Sequence, residues 1–130
     1  MSVTSGTFLM SVDEEKKTFV AFAEGLFDFE KGTEFCEAFM SAAHSISDQN
    51  EYTLIVDVKD VKPSSPQVQE ALSNAMALYA TDEFHFKKRF MTKLSSAIAQ
   101  SQIVRLAKSI PGFEQKIAFV DTKEEALRQI

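Results

Sequence analysis

Apolar and polar positions follow two periods along this chain, and the period switches several times. Thr7 to Val12, TFLMSV, is a short β-prone run, DEEK after it is a polar turn, and Thr18 to Ala23, TFVAFA, is a second run. The two predict a hairpin, although the turn has no Asn-Gly pair. Gly25 is expected to break the second strand. From about Thr33 to Ile46 the residues Phe35, Phe39, Ala42, Ala43 and Ile46 recur at helical spacing, with Thr33 or Asp28 as the N-cap. Tyr52 to Val58, YTLIVDV, is rich in β-branched residues and nearly continuous in its apolarity, which suits a central strand covered on both faces.

The clearest helical pattern follows: Val68, Ala71, Leu72, Ala75, Met76 and Tyr79 line one face, with Ser65 placed to cap the start and Pro66 suited to the first helical position. Phe86 to Leu94, FKKRFMTKL, reads as a strand that puts Lys87, Arg89 and Lys93 on one wet face. Ala99, Ile103, Leu106, Ala107 and Ile110 predict a helix over 96–110 that ends at IPG. KIAFV is the last strand, and TKEE, Thr122 to Glu125, is a capping box opening a short C-terminal helix. The order is ββαβαβαβα, which implies an α/β fold with a mixed, mostly parallel sheet and one domain over residues 1–130.

Composition narrows the function classes. Apolar residues make up 45% and charged residues 25% of the 130 residues, a globular balance. A net charge of −5 argues against a nucleic-acid partner, since such affinity comes largely from Lys and Arg on phosphates. The basic aromatic run HFKKRF, residues 85–90, reads more simply as an amphipathic strand whose basic face is open to an acidic protein. No apolar run is long enough to span a bilayer, and MSVTSGTFLMSVDEEKK lacks the charged and apolar segments of a leader, so no membrane insertion and a cytoplasmic location are expected. A single cysteine, Cys36, forms no internal disulfide and agrees with a reducing compartment.

Catalytic patterns are scarce. His44 and His85 have no ligand partner at helical spacing, Cys36 has no activating base beside it, and no glycine-rich phosphate loop follows any predicted strand. No metal and no cofactor are expected. Asp57 and Asp60 near the end of the central strand are the only carboxylate pair placed for acid-base work, and no nucleophile accompanies them. The twelve Phe and two Tyr read as packing, with one alternative: Phe84, Phe86, Phe90 and Met91 lining a pocket for a small apolar ligand or lipid.

The run LIVDVKDVKPSSPQVQEAL resembles the segment of STAS domains, the fold of anti-sigma factor antagonists, in which a strand and loop lead to an Asp-Ser-Ser-Gly-like motif opening a helix. AEGLFDFEKGTEFCEAF is similar to that fold's second strand and first helix, and QIVRLAKSIPGFEQKIAFVDTKEEALRQI to its closing helix, strand and helix. Pro63 and Pro66 stand where the family carries an acidic residue and a glycine. The resemblance implies a non-enzymatic regulatory domain that docks on a protein partner, an anti-sigma factor or a serine kinase, and is released by serine phosphorylation. It makes Ser64 and Ser65 the phosphoacceptor candidates, with Ser65 equally well explained as a plain helix cap. The partner-binding candidates are Asp57, Asp60, Lys62, Gln67, Gln69 and Asn74, and a homodimer is compatible with the same surface.

Overall fold

Two changes of local geometry let the first pair of strands build a sheet. Asp13 accepts hydrogen bonds at Oδ1 from the amides of Glu15 and Lys16, both at 3.0 Å, and Lys17 takes a left-handed φ of 54°. The chain thus reverses without an Asn-Gly pair, and strand β1 (Thr7–Asp13) pairs antiparallel with β2 (Thr18–Phe27). These positions come from a computed structural model that describes residues 6–63 and 67–130.

Helix α1 (Phe29–His44) follows β2, and a short 3-10 turn at Gln49–Glu51 leads into β3 (Thr53–Pro63). Then come α2 (Val68–Ala80), β4 (Lys88–Thr92), α3 (Ala97–Ser109), the single-turn α4 (Phe113–Lys116), β5 (Ile117–Val120) and α5 (Lys123–Arg128). The order matches the sequence expectation apart from the two one-turn insertions. The sheet runs β1-β2-β3-β4-β5, antiparallel only at β1 and β2 and parallel elsewhere. Each parallel pair is joined through a helix, as parallel neighbours require.

One face of the sheet carries nearly all of the helical cover. Phe19, Ala21, Leu54, Val56 and Met91 point to it and pack against Phe35, Phe39, Met76, Ile103 and Phe113 of α1 to α4. Aromatic rings fill its centre: Phe39 lies 5.4 Å from Phe19, 5.2 Å from Tyr79 and 6.0 Å from Phe84 between centroids. The other face holds a small cluster of Ile55, Phe90, Val120 and Ala126, covered by α5 alone. Central strands apolar on both sides, such as LIV in β3, follow from this double cover.

Three expectations change. Gly25 does not end β2: it takes a φ of 89° while still pairing with Val61, and the strand continues to Phe27. Just before it the register shifts because β3 carries one extra residue, the step from Phe22 to Glu24 facing that from Asp57 to Asp60. That continuation pairs with residues 60–63, so β3 extends to Pro63 rather than stopping at Val58. At the same bulge the amide of Val58 is satisfied by Oγ1 of the buried Thr92 at 2.9 Å.

The wet basic face of β4 is the second correction. Arg89 is buried, because its place opposite Leu54 and Ile117 turns it toward the helices. Its guanidinium donates from Nη1 to the carbonyls of Tyr79 (2.7 Å) and Thr81 (3.0 Å) and from Nη2 to that of Phe84 (2.6 Å). Lys116 donates to the Ala80 carbonyl at 3.0 Å and pairs with Asp82. Two cations therefore satisfy the free carbonyls at the C-terminal end of α2, where the helix dipole is negative.

The third concerns Phe84, Phe86, Phe90 and Met91, which line no common pocket. Adjacent strand residues point to opposite faces, so Phe90 joins the α5 cluster while Met91 faces the helices. Phe84 and Phe86 pack as rings with Phe39 and Phe19 instead.

Candidate functional site

Parallel strands β2, β3 and β4 all finish at the same end of the sheet, so the starts of α1, α2 and α3 share one edge of the molecule. In open α/β folds this end is where functional groups collect. Asp28 caps α1 by accepting the Lys31 amide at 2.8 Å, and Ser96 caps α3 by accepting that of Ala99 at 3.3 Å. Helix α2 differs. Gln67, the residue before it, has helical φ and ψ and makes no side-chain cap. Ser64 and Ser65, the phosphoacceptor candidates, and Pro66 lie outside the described residues.

Large apolar side chains are exposed on both sides of that helix start: Phe29 on α1 is 42% accessible and Ile98 on α3 is 79% accessible. Both occupy the first turn of their helix, close to the capping residues Asp28 and Ser96. Neither was singled out from the sequence. Ile98 is legible there only as a large apolar residue that, like Val104, lies off the face marked by Ala99, Ile103 and Ala107.

The remaining candidates separate into two groups. Lys62, Gln67, Gln69 and Asn74 are exposed, Lys62 near the end of β3 and the other three on or just before α2. Asp60 is exposed on β3 opposite Glu24 of β2. Asp57 belongs elsewhere: its neighbours Val56 and Val58 face the helices, and Asp57 points to the opposite side, toward Lys123 and Glu124 at the start of α5. The two carboxylates therefore do not share a cleft with α2.

Partial burial pushes the Asp57 carboxyl above its ordinary pKa; Lys123 opposes this, while Glu124 and Asp60 reinforce it. A raised folded-state pKa means that the folded protein binds this proton more tightly than the unfolded chain does. The stabilisation is fully present below the unfolded pKa and lost as pH rises through the folded one. Asp57→Asn is therefore expected to stabilise the fold at pH 7, by no more than about 1 kcal/mol because the group is half open to solvent, and so to melt slightly higher there, with no advantage near pH 3. Thermal denaturation of both proteins across that range checks it.

Other ionisable groups have structural settings. Cys36 is buried, and burial followed by the charge of Glu37 raises its thiol pKa, which disfavours the thiolate. His44 lies 3.5 Å from Glu83 at the far end of the molecule, and the His85 amide donates to Oε1 of Gln49 at 2.9 Å. Among the described residues no three His, Cys, Asp or Glu side chains gather where they could hold one metal ion, and no helix is long and apolar enough to cross a membrane.

No protein-family model and no curated protein matches this chain. Solved structures do. An anti-sigma factor antagonist from Mycobacterium paratuberculosis superposes with a TM-score of 0.61 at 15% identity, over 97% of this chain and 94% of its own. An uncharacterised protein of the DUF3478 family from Shewanella loihica, described as having a SpoIIAA-like fold, superposes with a TM-score of 0.63 at 14% identity, over 99% of this chain and 98% of its own. The chain thus has a STAS-like fold, as its sequence layout suggested, shared end to end with an anti-sigma factor antagonist.

Proposed function

We propose that this chain is a non-enzymatic regulatory domain that docks on a protein partner through the end of the sheet where α1, α2 and α3 begin. The observation that carries it is the pair of exposed apolar residues, Phe29 and Ile98, on the helices either side of α2. Solvent-exposed Phe and Ile at one functional edge suit a contact that excludes water. Given the fold's likeness to an anti-sigma factor antagonist, an anti-sigma factor acting as a serine kinase in the cytoplasm is the partner of choice.

Phosphorylation of Ser64 or Ser65 is the proposed control. A phosphate adds about 1.5 to 2 negative charges. The start of a helix tolerates that charge, stabilised by roughly 0.3–1 kcal/mol, whereas an apolar interface does not. The fold survives the modification and the contact is lost.

A pull-down from native lysate tests the proposal with wild type, Ser64→Ala/Ser65→Ala, Ser64→Asp/Ser65→Asp and Phe29→Ala/Ile98→Ala. One partner is expected to be held by wild type and the double Ala serine variant, lost by the double Asp variant, and weakened at least about tenfold without the two apolar residues. Equal retention by all four proteins removes both the switch and the surface.

A further inference from the structure

The sheet has two edges, and the chain blunts only one of them. Strand β5 is four residues long and lies between the one-turn α4 and α5. An edge strand that short offers little to an incoming chain. Strand β1 is seven residues long, its register with β2 is unbroken, and Thr7–Val12, TFLMSV, contains no charge and no proline. Among the described residues nothing pairs with its outer side, so alternate N–H and C=O groups there point away from the sheet.

Apolar side chains accompany those backbone groups on both faces. Phe8 and Met10 pack against the core on the helical side, and Val12, opposite Phe19, follows them there with 41% of its surface accessible. Leu9 lies on the other side, opposite the half-buried Phe22, and is 61% accessible. Helix α5 covers Ile55, Phe90 and Val120 on that side, and the cluster it completes includes neither Leu9 nor Phe22. An exposed Leu and Val on one long, uncharged edge strand are the pattern that strand addition exploits.

We infer that β1 pairs with β1 of a second copy of this chain, antiparallel about Met10, joining two five-stranded sheets into one. The strand is complementary to itself. A two-fold axis normal to the sheet keeps the helices of both copies on one face and requires opposed residues to point the same way. Centred on Met10 it overlaps the whole strand: Met10 meets its own counterpart, Phe8 the partner's Val12, Leu9 the partner's Ser11 and Thr7 the partner's Asp13. Apolar residues meet apolar or small ones, and no like charges are opposed. The acidic Asp13 and Glu14 of each copy arrive at the start of the other's β1, where Lys31 stands 5.9 Å over the Phe8 ring. The inference uses the strand edge and not the helix starts, so it stands or falls apart from the docking reading above.

Sedimentation of the purified full chain from micromolar to millimolar concentration is the first test. A dimer that grows with concentration is expected, weakened at least about tenfold in Leu9→Lys/Val12→Lys, whose charges sit at exposed sites of the edge. Disulfide cross-linking reads the register, and carries the test alone should the lysines unfold the chain. Opposed Cα atoms of an antiparallel pair lie about 4.5–5.5 Å apart, within disulfide reach, and diagonal ones about 7–8 Å. Met10→Cys should therefore cross-link to its counterpart several times faster than Leu9→Cys, and wild type, with its buried Cys36, should not cross-link. A protein monomeric at every concentration overturns the inference. So does a dimer untouched by the two lysines, or equal cross-linking of the two cysteine variants. Cross-linking of Met10→Cys to another protein in lysate, with the pure chain monomeric, assigns the edge to a different occupant and overturns it as well.

Discussion

Phe39→Ala should be the most damaging single substitution in this protein, costing about 3–5 kcal/mol of folding stability. Phe39 is fully buried and touches rings from three other elements: Phe19 of β2, Tyr79 of α2, and Phe84 in the loop before β4. Truncation removes the transfer free energy of a whole ring and leaves a hole. The close-packed rings around it cannot collapse inward without giving up their own edge-on contacts. Domains of this size have about 5–15 kcal/mol in total, so the variant is expected to melt some 10–20 °C lower and to unfold in far less urea. Phe39→Leu keeps much of the volume and should lose less than half as much. If Phe39→Ala melts within a few degrees of wild type, the ring cluster is not the keystone of the core.

Arg89→Ala is the second, with an expected loss of about 3 kcal/mol or more. Three carbonyls, those of Tyr79, Thr81 and Phe84, depend on one guanidinium. Hydrogen bonds to a charged donor contribute about 1.5–3 kcal/mol each, and buried acceptors left without a partner cost about 1–3 kcal/mol. These terms overlap, so they do not simply add. The planar fork matters as much as the charge. Lysine presents a single ammonium and cannot reach all three oxygens in the same geometry, so Arg89→Lys should recover only part of the loss. Hydrogen exchange provides the local check: amides over 79–86 should lose protection in Arg89→Ala ahead of those in β3. Uniform loss across the chain would mean that Arg89 has no special hold on the α2–β4 loop.

These two residues illustrate how unevenly the structure was legible. Phe39 could be placed in the core from its spacing with Phe35, Ala42, Ala43 and Ile46, because a helix repeats its inward face every three to four residues. The N-cap at Asp28 and the box at Thr122 were likewise written locally, and both form: Thr122 Oγ1 accepts the Glu125 amide at 3.1 Å. Glu125, however, reaches back to the amide of Asp121 at 3.0 Å, one residue before the cap. Arg89 was misplaced on a wet face because alternation assigns a residue to a side of the strand without saying what covers that side. Gly25 misled for a related reason, since whether a strand ends at a glycine or runs on through it depends on the neighbour that continues to pair.

The candidate residues were legible as neighbours along the chain but not as a group in space. The apolar run of β3 and the amphipathic α2 marked the edge between them, and Lys62, Gln67, Gln69 and Asn74 do lie there, exposed. Asp57 does not, because strand alternation carries it through to the α5 side of the sheet. Phe29 and Ile98 come from helices distant in sequence and meet this edge only because β2, β3 and β4 run parallel in consecutive order.

By itself, then, the sequence determined the kinds and order of the main elements, most of their boundaries and the inward faces of α1, α2 and α3, since those follow from periodicity and capping within a few residues. Tertiary structure alone decided that α5 covers the back of the sheet by itself, that Arg89 is spent on the carbonyls of α2, and that Asp57 lies apart from the helix starts. Each of those depends on which surfaces approach one another and how closely. Contacts between segments tens of residues apart leave no period in the chain.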